Sequence, residues 1–150
     1  MQQFSADILR YLGELEKIMP EECLILREVG LGSDFKKYNS KFRRSTMLVR
    51  MPKRRCDLMV LTARTVWLIE VKRKLNYEAV GQILLYRYLL LNENTRKEDG
   101  KVYIDVFVNN RMTSFDITGK NIQIGIAYKE EDEDLKMLCK ELGIATFKIR

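Results

Sequence analysis

Three residues near the middle of the chain could together perform hydrolytic chemistry. Glu70 and Lys72 end the apolar run "TVWLIEVK", residues 65–72, and Asp57 begins the run "CDLMVLT", residues 56–62. Side chains alternate along a β-strand, so Glu70 and Lys72 lie on one face, about 7 Å apart. If the two runs pair as a hairpin across the two residues between them, Asp57 faces the same region. Two carboxylates and one ammonium group then converge at one end of the hairpin.

Such a group of side chains suits metal-assisted cleavage of a phosphodiester. Carboxylates in a row of Val, Leu, Ile and Trp are costly to bury unless they are paired or bind a metal. Two carboxylates suit Mg²⁺ or Mn²⁺, which retain several waters and bind phosphate oxygens. A nearby lysine can hold the attacking water and offset charge in the transition state. The alternative is a solvated strand end, with Asp57 as a turn residue.

A long apolar segment follows the second run. "NYEAVGQILLYRYLLLNEN", residues 76–94, is apolar on most of its circumference, which predicts a largely buried helix. Gln82 and Tyr86 are one turn apart and face the same way. A buried glutamine needs hydrogen-bond partners for its amide. Either both side chains point at the carboxylates, or the glutamine bonds to backbone while the tyrosine hydroxyl reaches solvent.

These positions together resemble the PD-(D/E)xK nuclease superfamily, in its RecB-like QxxxY variety. The matching residues are Asp57, Glu70-Val71-Lys72 and Gln82-x-x-x-Tyr86. The resemblance implies a restriction-endonuclease-like αβββαβ core over residues 5–108. It also implies a deoxyribonuclease that requires Mg²⁺ or Mn²⁺.

The resemblance also implies a role for each residue. Asp57 and Glu70, with the carbonyl of Val71, would bind the metal. Lys72 would orient or activate the water. The glutamine and tyrosine of the helix would support that lysine and the scissile phosphate.

The chain departs from the superfamily's pattern at two places. The residue before Asp57 is Cys56, where the motif has proline. RecB-like members often carry a histidine in or near the first helix, and this sequence contains none. The absence of histidine also excludes Ser-His-Asp and Cys-His catalysis. Holliday-junction resolvase-like members use a glutamate on that helix, and Glu14 and Glu16 both flank its apolar stripe as candidate metal ligands.

Periodicity predicts the remaining elements. The expected helices are 5–19, with Ser5 as N-cap, and 132–143; the expected strands are 23–29, 101–108, 121–128 and 144–149. We expect one α/β domain over residues 1–150, with a mixed central sheet and helices on both sides. Residues 109–150 would form a C-terminal β-α-β extension to the core.

Positive charge is concentrated between the first two core strands. The chain has a net charge of +6, and residues 36–55 contain nine Lys or Arg and no acid. This basic loop, residues 33–55, predicts contacts with a DNA backbone, either duplex or branched. The predicted DNA-binding residues are Lys41, Arg43, Arg44, Lys53, Arg54, Arg55, Arg73 and Lys74. The alternative is a solvated loop of high charge.

Cysteine content and hydropathy limit the compartment and the class of protein. Cys23, Cys56 and Cys139 are far apart, which argues against a zinc ribbon or an iron–sulfur cluster. Sparse cysteines indicate a reducing, cytoplasmic setting. We see no signal peptide and expect no membrane partner, because each apolar stretch is too short or too polar.

Several functions stay open at this point. The first is a metal-dependent DNA nuclease, including a Holliday-junction resolvase-like, structure-specific endonuclease. The second is a catalytically inactive nucleic-acid-binding module of the same fold. The third is a protein-interaction domain whose basic loop binds an acidic partner. Small nucleases of this superfamily commonly form homodimers, which leaves the oligomeric state open as well.

Overall fold

A computed structural model describes residues 2–17, 22–39 and 46–149. Its helices are α1 (Gln2–Glu16), α2 (Tyr77–Glu93) and α3 (Glu133–Glu141). Its strands are β1 (Leu24–Leu31), β2 (Asp34–Asn39), β3 (Thr46–Met51), β4 (Arg54–Leu61), β5 (Thr65–Lys74), β6 (Thr95–Glu98), β7 (Lys101–Val108), β8 (Arg111–Asp116), β9 (Asn121–Glu130) and β10 (Ile144–Lys148). In this part of the chain, no helix is long and apolar enough to cross a membrane.

A mixed sheet forms the centre of the fold. Its strands run in the order β10-β9-β5-β4-β1-β7-β6, and β8 also pairs with β7. The pairs β5–β9 and β9–β10 are parallel, and the other pairs are antiparallel. Strands β2 and β3 form a separate antiparallel hairpin. The predicted fold class, a mixed central sheet flanked by helices, is confirmed.

Helices cover both faces of the two central strands. Val66 and Leu68 of β5 belong to a buried cluster that includes side chains of α2 and α3. Trp67 and Ile69, which point the other way, pack in a second cluster with Ile8 of α1 and its neighbours. Burial on both faces explains why β4 and β5 are almost continuously apolar. The predicted pairing of these two strands as a hairpin is also confirmed, with Leu61 opposite Val66.

The last strand of the predicted core was assigned wrongly. Strand β9, not residues 101–108, lies beside β5 and runs parallel to it. Strand β7 pairs on the far side of β1, through Gly30 and Phe107. Residues 109–150 therefore contribute three strands to the sheet: β8, β9 and β10. The order of elements along a chain does not specify which strand fills the position beside β5.

Some predicted boundaries also differ from the structure. Helix α1 begins at Gln2, so Ser5 lies inside it and is not the N-cap. Part of the predicted basic loop is the β2–β3 hairpin. Residues 95–98 form strand β6, which turns into β7 through Asp99 and Gly100, both with positive φ. Asp-Gly is a strong signal for a two-residue hairpin turn, and it was available in the sequence.

Asn94 connects three elements at the C-terminal end of α2. Its side chain is buried; Oδ1 accepts a hydrogen bond from the N–H of Gly32 at 2.8 Å, and Nδ2 donates to the carbonyl of Asp105 at 2.7 Å. Nearby, Lys53 pairs with Glu93 at 2.8 Å. Gly32 and Lys53 flank the β2–β3 hairpin, so these contacts attach the base of that hairpin to α2.

Replacing Asn94 tests this connection. In Asn94→Ala, the Gly32 N–H and the Asp105 carbonyl lose their partners, which should lower the free energy of unfolding by about 2–4 kcal/mol. Asn92→Ala is the matched control, because the Asn92 side chain donates within α2, to the carbonyl of Tyr88, and is exposed. Urea denaturation measures both. Equal stability of the two variants would contradict the role of Asn94.

Candidate active site

Strands β4 and β5 separate at the point where the candidate residues lie. The backbone ladder between them runs from Leu61–Val66 to Leu58–Ile69. Beyond that point Asp57 Oδ2 accepts a hydrogen bond from the N–H of Val71 at 2.8 Å. A side chain thus takes the place of a backbone partner. Because the N–H and C=O of a strand residue point to the same side, the Val71 carbonyl also faces this gap.

Cys56 also lies where β4 and β5 separate, and it packs in the cluster on the α2 face of the sheet. Its thiol is fully buried and lies 3.2 Å from the carbonyl oxygen of Leu58 and 3.6 Å from that of Ile69. Burial, and then the charge of Glu70, raises the pKa of this thiol well above its ordinary value. The thiol therefore stays protonated and can donate to the Ile69 carbonyl.

Glu70 lies on the α2 face of the sheet, among apolar side chains. It is 3% exposed. Burial, and then the hydrogen bond and charge of Asp57, raise the pKa of Glu70 to about 8, against the lowering effects of Tyr86 and Lys72. Two carboxyl groups this close do not ionise independently. Near neutral pH Glu70 therefore retains its proton.

Tyr86 fixes the orientation of the Glu70 carboxyl. Its hydroxyl donates to Glu70 Oε2 at 2.9 Å, and its ring is buried in the cluster beneath α2. Burial, and then the bond to Glu70, raises the pKa of Tyr86 above its ordinary value. The hydroxyl therefore remains a donor at any physiological pH. Of the two arrangements that the sequence left open for Tyr86, the structure contains the one in which it approaches a carboxylate, that of Glu70.

Lys72 points to the same face as Glu70, one side chain further along β5. It is half-buried, and its charge lowers the pKa of Glu70. Within the described residues Lys72 forms no ion pair with a carboxylate. Its ammonium group therefore acts on the carboxyl pair through charge alone and keeps its donors for another ligand.

In the described part of the chain, Gln82 forms no hydrogen bond to Asp57, Glu70 or Lys72. Its Nε2 donates to Glu78 Oε1 at 3.3 Å, along the outer side of α2. Its Oε1 is buried and has no hydrogen-bond partner in the part of the chain that the structure describes. The predicted support of Lys72 by Gln82 is thus absent from the hydrogen bonds seen here, although the amide retains an unused acceptor.

The two first-helix glutamates lie away from Glu70. Glu16 Oε1 accepts a hydrogen bond from Trp67 Nε1 at 3.0 Å, and Trp67 is on the α1 face of the sheet. Glu14 is exposed and lines a hollow on that same side, with Tyr11 and Phe147. The structure therefore brings neither glutamate to the carboxyl pair. Helical periodicity identifies the side of α1 that is buried but not the face of the sheet on which it packs.

The predicted DNA-binding residues fall into three groups. Lys41, Arg43 and Arg44 lie outside the described residues. Arg54, Arg55, Arg73 and Lys74 are exposed near the two ends of β4 and β5 that carry the carboxylates. The third group is Lys53 alone, whose ammonium group pairs with Glu93.

Two of the exposed arginines also have neighbours. Arg55 donates to Asn110 Oδ1 at 3.0 Å, and Arg73 Nε lies 3.7 Å from Glu130. Both contacts are at the surface, where an ion pair or a polar contact contributes little. Either arginine can therefore exchange its neighbour for a phosphate at small cost.

The carboxyl pair fits a magnesium-type cation better than a fully protein-coordinated metal. In the described part of the chain, no group of three acidic, histidine or cysteine side chains is placed to bind a metal ion. Mg²⁺ is commonly bound by one or two carboxylates, with waters and substrate phosphates completing its shell. Asp57, Glu70 and the Val71 carbonyl form a donor set of that kind. A divalent cation bound there would also displace the proton from Glu70.

Comparisons with known proteins provide a structural likeness only. No family model matches the sequence, and no curated protein matches it. Among solved structures, a chain from the "crystal structure of a repair endonuclease from Pyrococcus abyssi" is similar over 97% of this chain and 46% of that one. The identity is 16% and the TM-score is 0.45. This chain therefore spans under half the length of that protein, and we infer no activity from a likeness at this level.

The buried Glu70 should make stability depend on pH. Its pKa is about 8 in the folded chain against an ordinary value of 4.5, so between these values the folded state holds a proton that the unfolded state releases. The free energy of unfolding should therefore fall as pH rises, by roughly 2–4 kcal/mol from pH 5 to pH 8 without divalent cations. Glu70→Gln should abolish most of this slope.

Chemical denaturation at several pH values, in the presence of a chelator, measures the effect. Glu141→Gln is a matched control, because Glu141 is exposed at the end of α3. It should keep the wild-type slope. A wild-type protein whose stability is constant or increases over this range would contradict the burial of a protonated Glu70.

Proposed function

We propose that the chain is a metal-dependent DNA nuclease that hydrolyses phosphodiester bonds. The observation that carries this proposal is the carboxyl pair of half-buried Asp57 and buried Glu70, beside which Lys72 lies and in which Tyr86 orients Glu70. Burial and the neighbouring Asp57 raise the pKa of Glu70 to about 8, which costs stability near neutral pH, and such perturbed groups concentrate at functional sites. A protein-interaction domain would have no need of a buried carboxyl such as that of Glu70.

Asp57, Glu70 and the Val71 carbonyl would hold Mg²⁺ or Mn²⁺. When bound, the cation would offset the negative charge that develops on the phosphate as the bond to it is cleaved. Tyr86 donates to Glu70 Oε2, so Oε1 would be the oxygen for the cation. The Val71 N–H holds Asp57 by its Oδ2 in the same way. Each carboxyl is thus oriented by one donor, which preorganises the site before the cation and substrate arrive.

Lys72 would position the attacking water. It lies on the same face as Glu70 and has no carboxylate partner in the described residues, so its donors are available to a water or to a phosphate oxygen. Gln82, one turn before Tyr86, would contribute its unused buried acceptor to that lysine or to the water. Both roles require the small movements that accompany substrate binding.

The substrate would be held through its backbone. The net charge of +6 and the basic segment between β1 and β4 favour a polyanion. Arg54 and Arg55 begin β4, and Arg73 and Lys74 end β5. Because β4 and β5 are antiparallel, the start of β4 and the end of β5 lie at the same end of the sheet. These four cations are therefore at the end that carries the carboxyl pair. Phosphates bound there would lie beside the groups that cleave them.

A cleavage assay tests the proposal. Wild-type protein should cut DNA with Mg²⁺ or Mn²⁺ and should not cut it with chelator. Glu70→Gln and Lys72→Ala should each lower the rate by roughly 10²–10³-fold, because each removes charge stabilisation at the reacting phosphate. Gel assays on supercoiled, linear, single-stranded and four-way-junction DNA measure the rate and the substrate preference together.

Exposed residues of α3 supply the controls. Lys140→Ala and Glu141→Gln change the same residue types far along the chain from the carboxyl pair and should cleave as wild type. Equal cleavage by wild type, Glu70→Gln and Lys72→Ala would remove this site from the reaction. Binding of DNA without any cleavage would favour an inactive nucleic-acid-binding module.

A further inference from the structure

A groove of about 510 Å³ lies between α2 and the β3–β4 connection. Its walls come from the β3–β4 connection and from α2: Pro52, Lys53, Arg54, Leu85, Tyr88, Leu89 and Glu93. Its volume is in the range of ordinary ligand sites. The site described above uses none of the α2 residues that line it.

An exposed aromatic ring forms one wall of the groove. Tyr88 is 59% exposed, and Leu85, one turn earlier, extends the apolar surface with a third of its own area in solvent. Two large apolar side chains on one helix face, beside a hollow, provide a surface on which a flat ring can stack. Stacking of a nucleobase on an exposed aromatic side chain is how single strands are commonly held.

Charge on the rim matches a phosphate. Lys53 and Glu93 neutralise each other at 2.8 Å. Arg54 Nη1 bonds to the carbonyl of Lys53 at 3.0 Å, and in the described part of the chain its guanidinium contacts no carboxylate. The groove therefore combines an apolar, aromatic wall with one uncompensated cation. That combination complements a nucleotide, which carries one flat base and one phosphate.

The groove is close to the candidate active site along α2. Leu89 lines the groove, and Tyr86, whose hydroxyl binds Glu70, precedes it by three residues. The helical rise places these two residues about 4.5 Å apart along the axis. Arg54, on the opposite wall, precedes Asp57 by three residues in β4. The same two elements therefore carry both the groove and the carboxyl pair.

We propose that this groove binds an unpaired stretch of DNA, with a base stacked on Tyr88 and a phosphate at Arg54. In a duplex the bases are stacked on each other and cannot reach an exposed ring in a hollow, so only an unpaired base fits. This inference rests on the proposed nuclease function and specifies its substrate: DNA with a single-stranded segment beside the bond that is cut.

Binding without cleavage tests the inference. Fluorescence anisotropy with labelled oligo-dT and with a blunt duplex, in the presence of chelator, measures both affinities. Tyr88→Ala should weaken oligo-dT binding roughly tenfold and duplex binding less than twofold. Tyr88→Phe should retain binding within about twofold, because the ring remains. Arg54→Ala should weaken oligo-dT binding and reduce the salt dependence of its affinity by about one phosphate contact.

Tyr77→Ala is the matched control. Tyr77 begins the same helix, is 79% exposed, and does not line the groove. It should bind both DNAs as wild type does. Four results would overturn the inference: no loss in Tyr88→Ala, an equal loss for duplex, the same loss in Tyr77→Ala, or a wild-type protein that does not bind oligo-dT.

A second measurement tests whether the groove is instead occupied by a second copy of the chain. If sedimentation shows a wild-type dimer that Tyr88→Ala dissociates, the groove is a contact between copies of the chain and the inference is wrong. Wild-type protein that binds oligo-dT through Tyr88 but cuts no DNA would contradict the proposed nuclease and leave the groove assignment standing. The two failures are thus distinguishable.

Discussion

The hydrogen bond from the Val71 N–H to the Asp57 carboxylate is the contact on which the centre of this protein depends. It forms where the β4–β5 ladder ends, and it holds one carboxylate against the strand that carries the other. Without it the two strands could continue to pair, and Asp57 would be an ordinary half-buried side chain. With it, Asp57 lies within hydrogen-bonding reach of Glu70, and this contact adds to burial in raising the pKa of Glu70. The surrounding sheet, apolar on both faces, supplies the stability that such a pair removes.

Helix α2 links this centre to the surface. Tyr86 on its inner side binds Glu70, while Asn94 and Glu93 at its end hold the base of the β2–β3 hairpin. Its outer side carries the ring of Tyr88. A rigid helix keeps these three contacts at fixed distances from one another. A change in the position of α2 would therefore alter the orientation of the carboxyl pair and the groove together.

Local pattern was sufficient to predict the β4–β5 hairpin and α2, because strand alternation and helical spacing fix directions over a few residues. The same pattern left two directions open for Tyr86, and only the resemblance favoured the one toward Glu70. Long-range placement was not predictable in this way. The position of β9 beside β5 depends on a crossover that leaves no local signal. Likewise, periodicity could not show that Glu16 packs against Trp67 on the far face. Asn94 was missed for the same reason, since its partners, Gly32 and Asp105, come from distant parts of the chain. The groove beside Tyr88 likewise forms only when residues 52–54 come to lie against α2.

Calorimetric titration with Mn²⁺ near pH 7, in two buffers of different ionisation enthalpy, tests the central claim most directly. If Asp57 and Glu70 hold one proton and form the cation site, each bound ion should release roughly one proton, and Glu70→Gln should abolish both the binding and the release. Binding without proton release, or equal binding by Glu70→Gln, would contradict the claim that this carboxyl pair is the metal site.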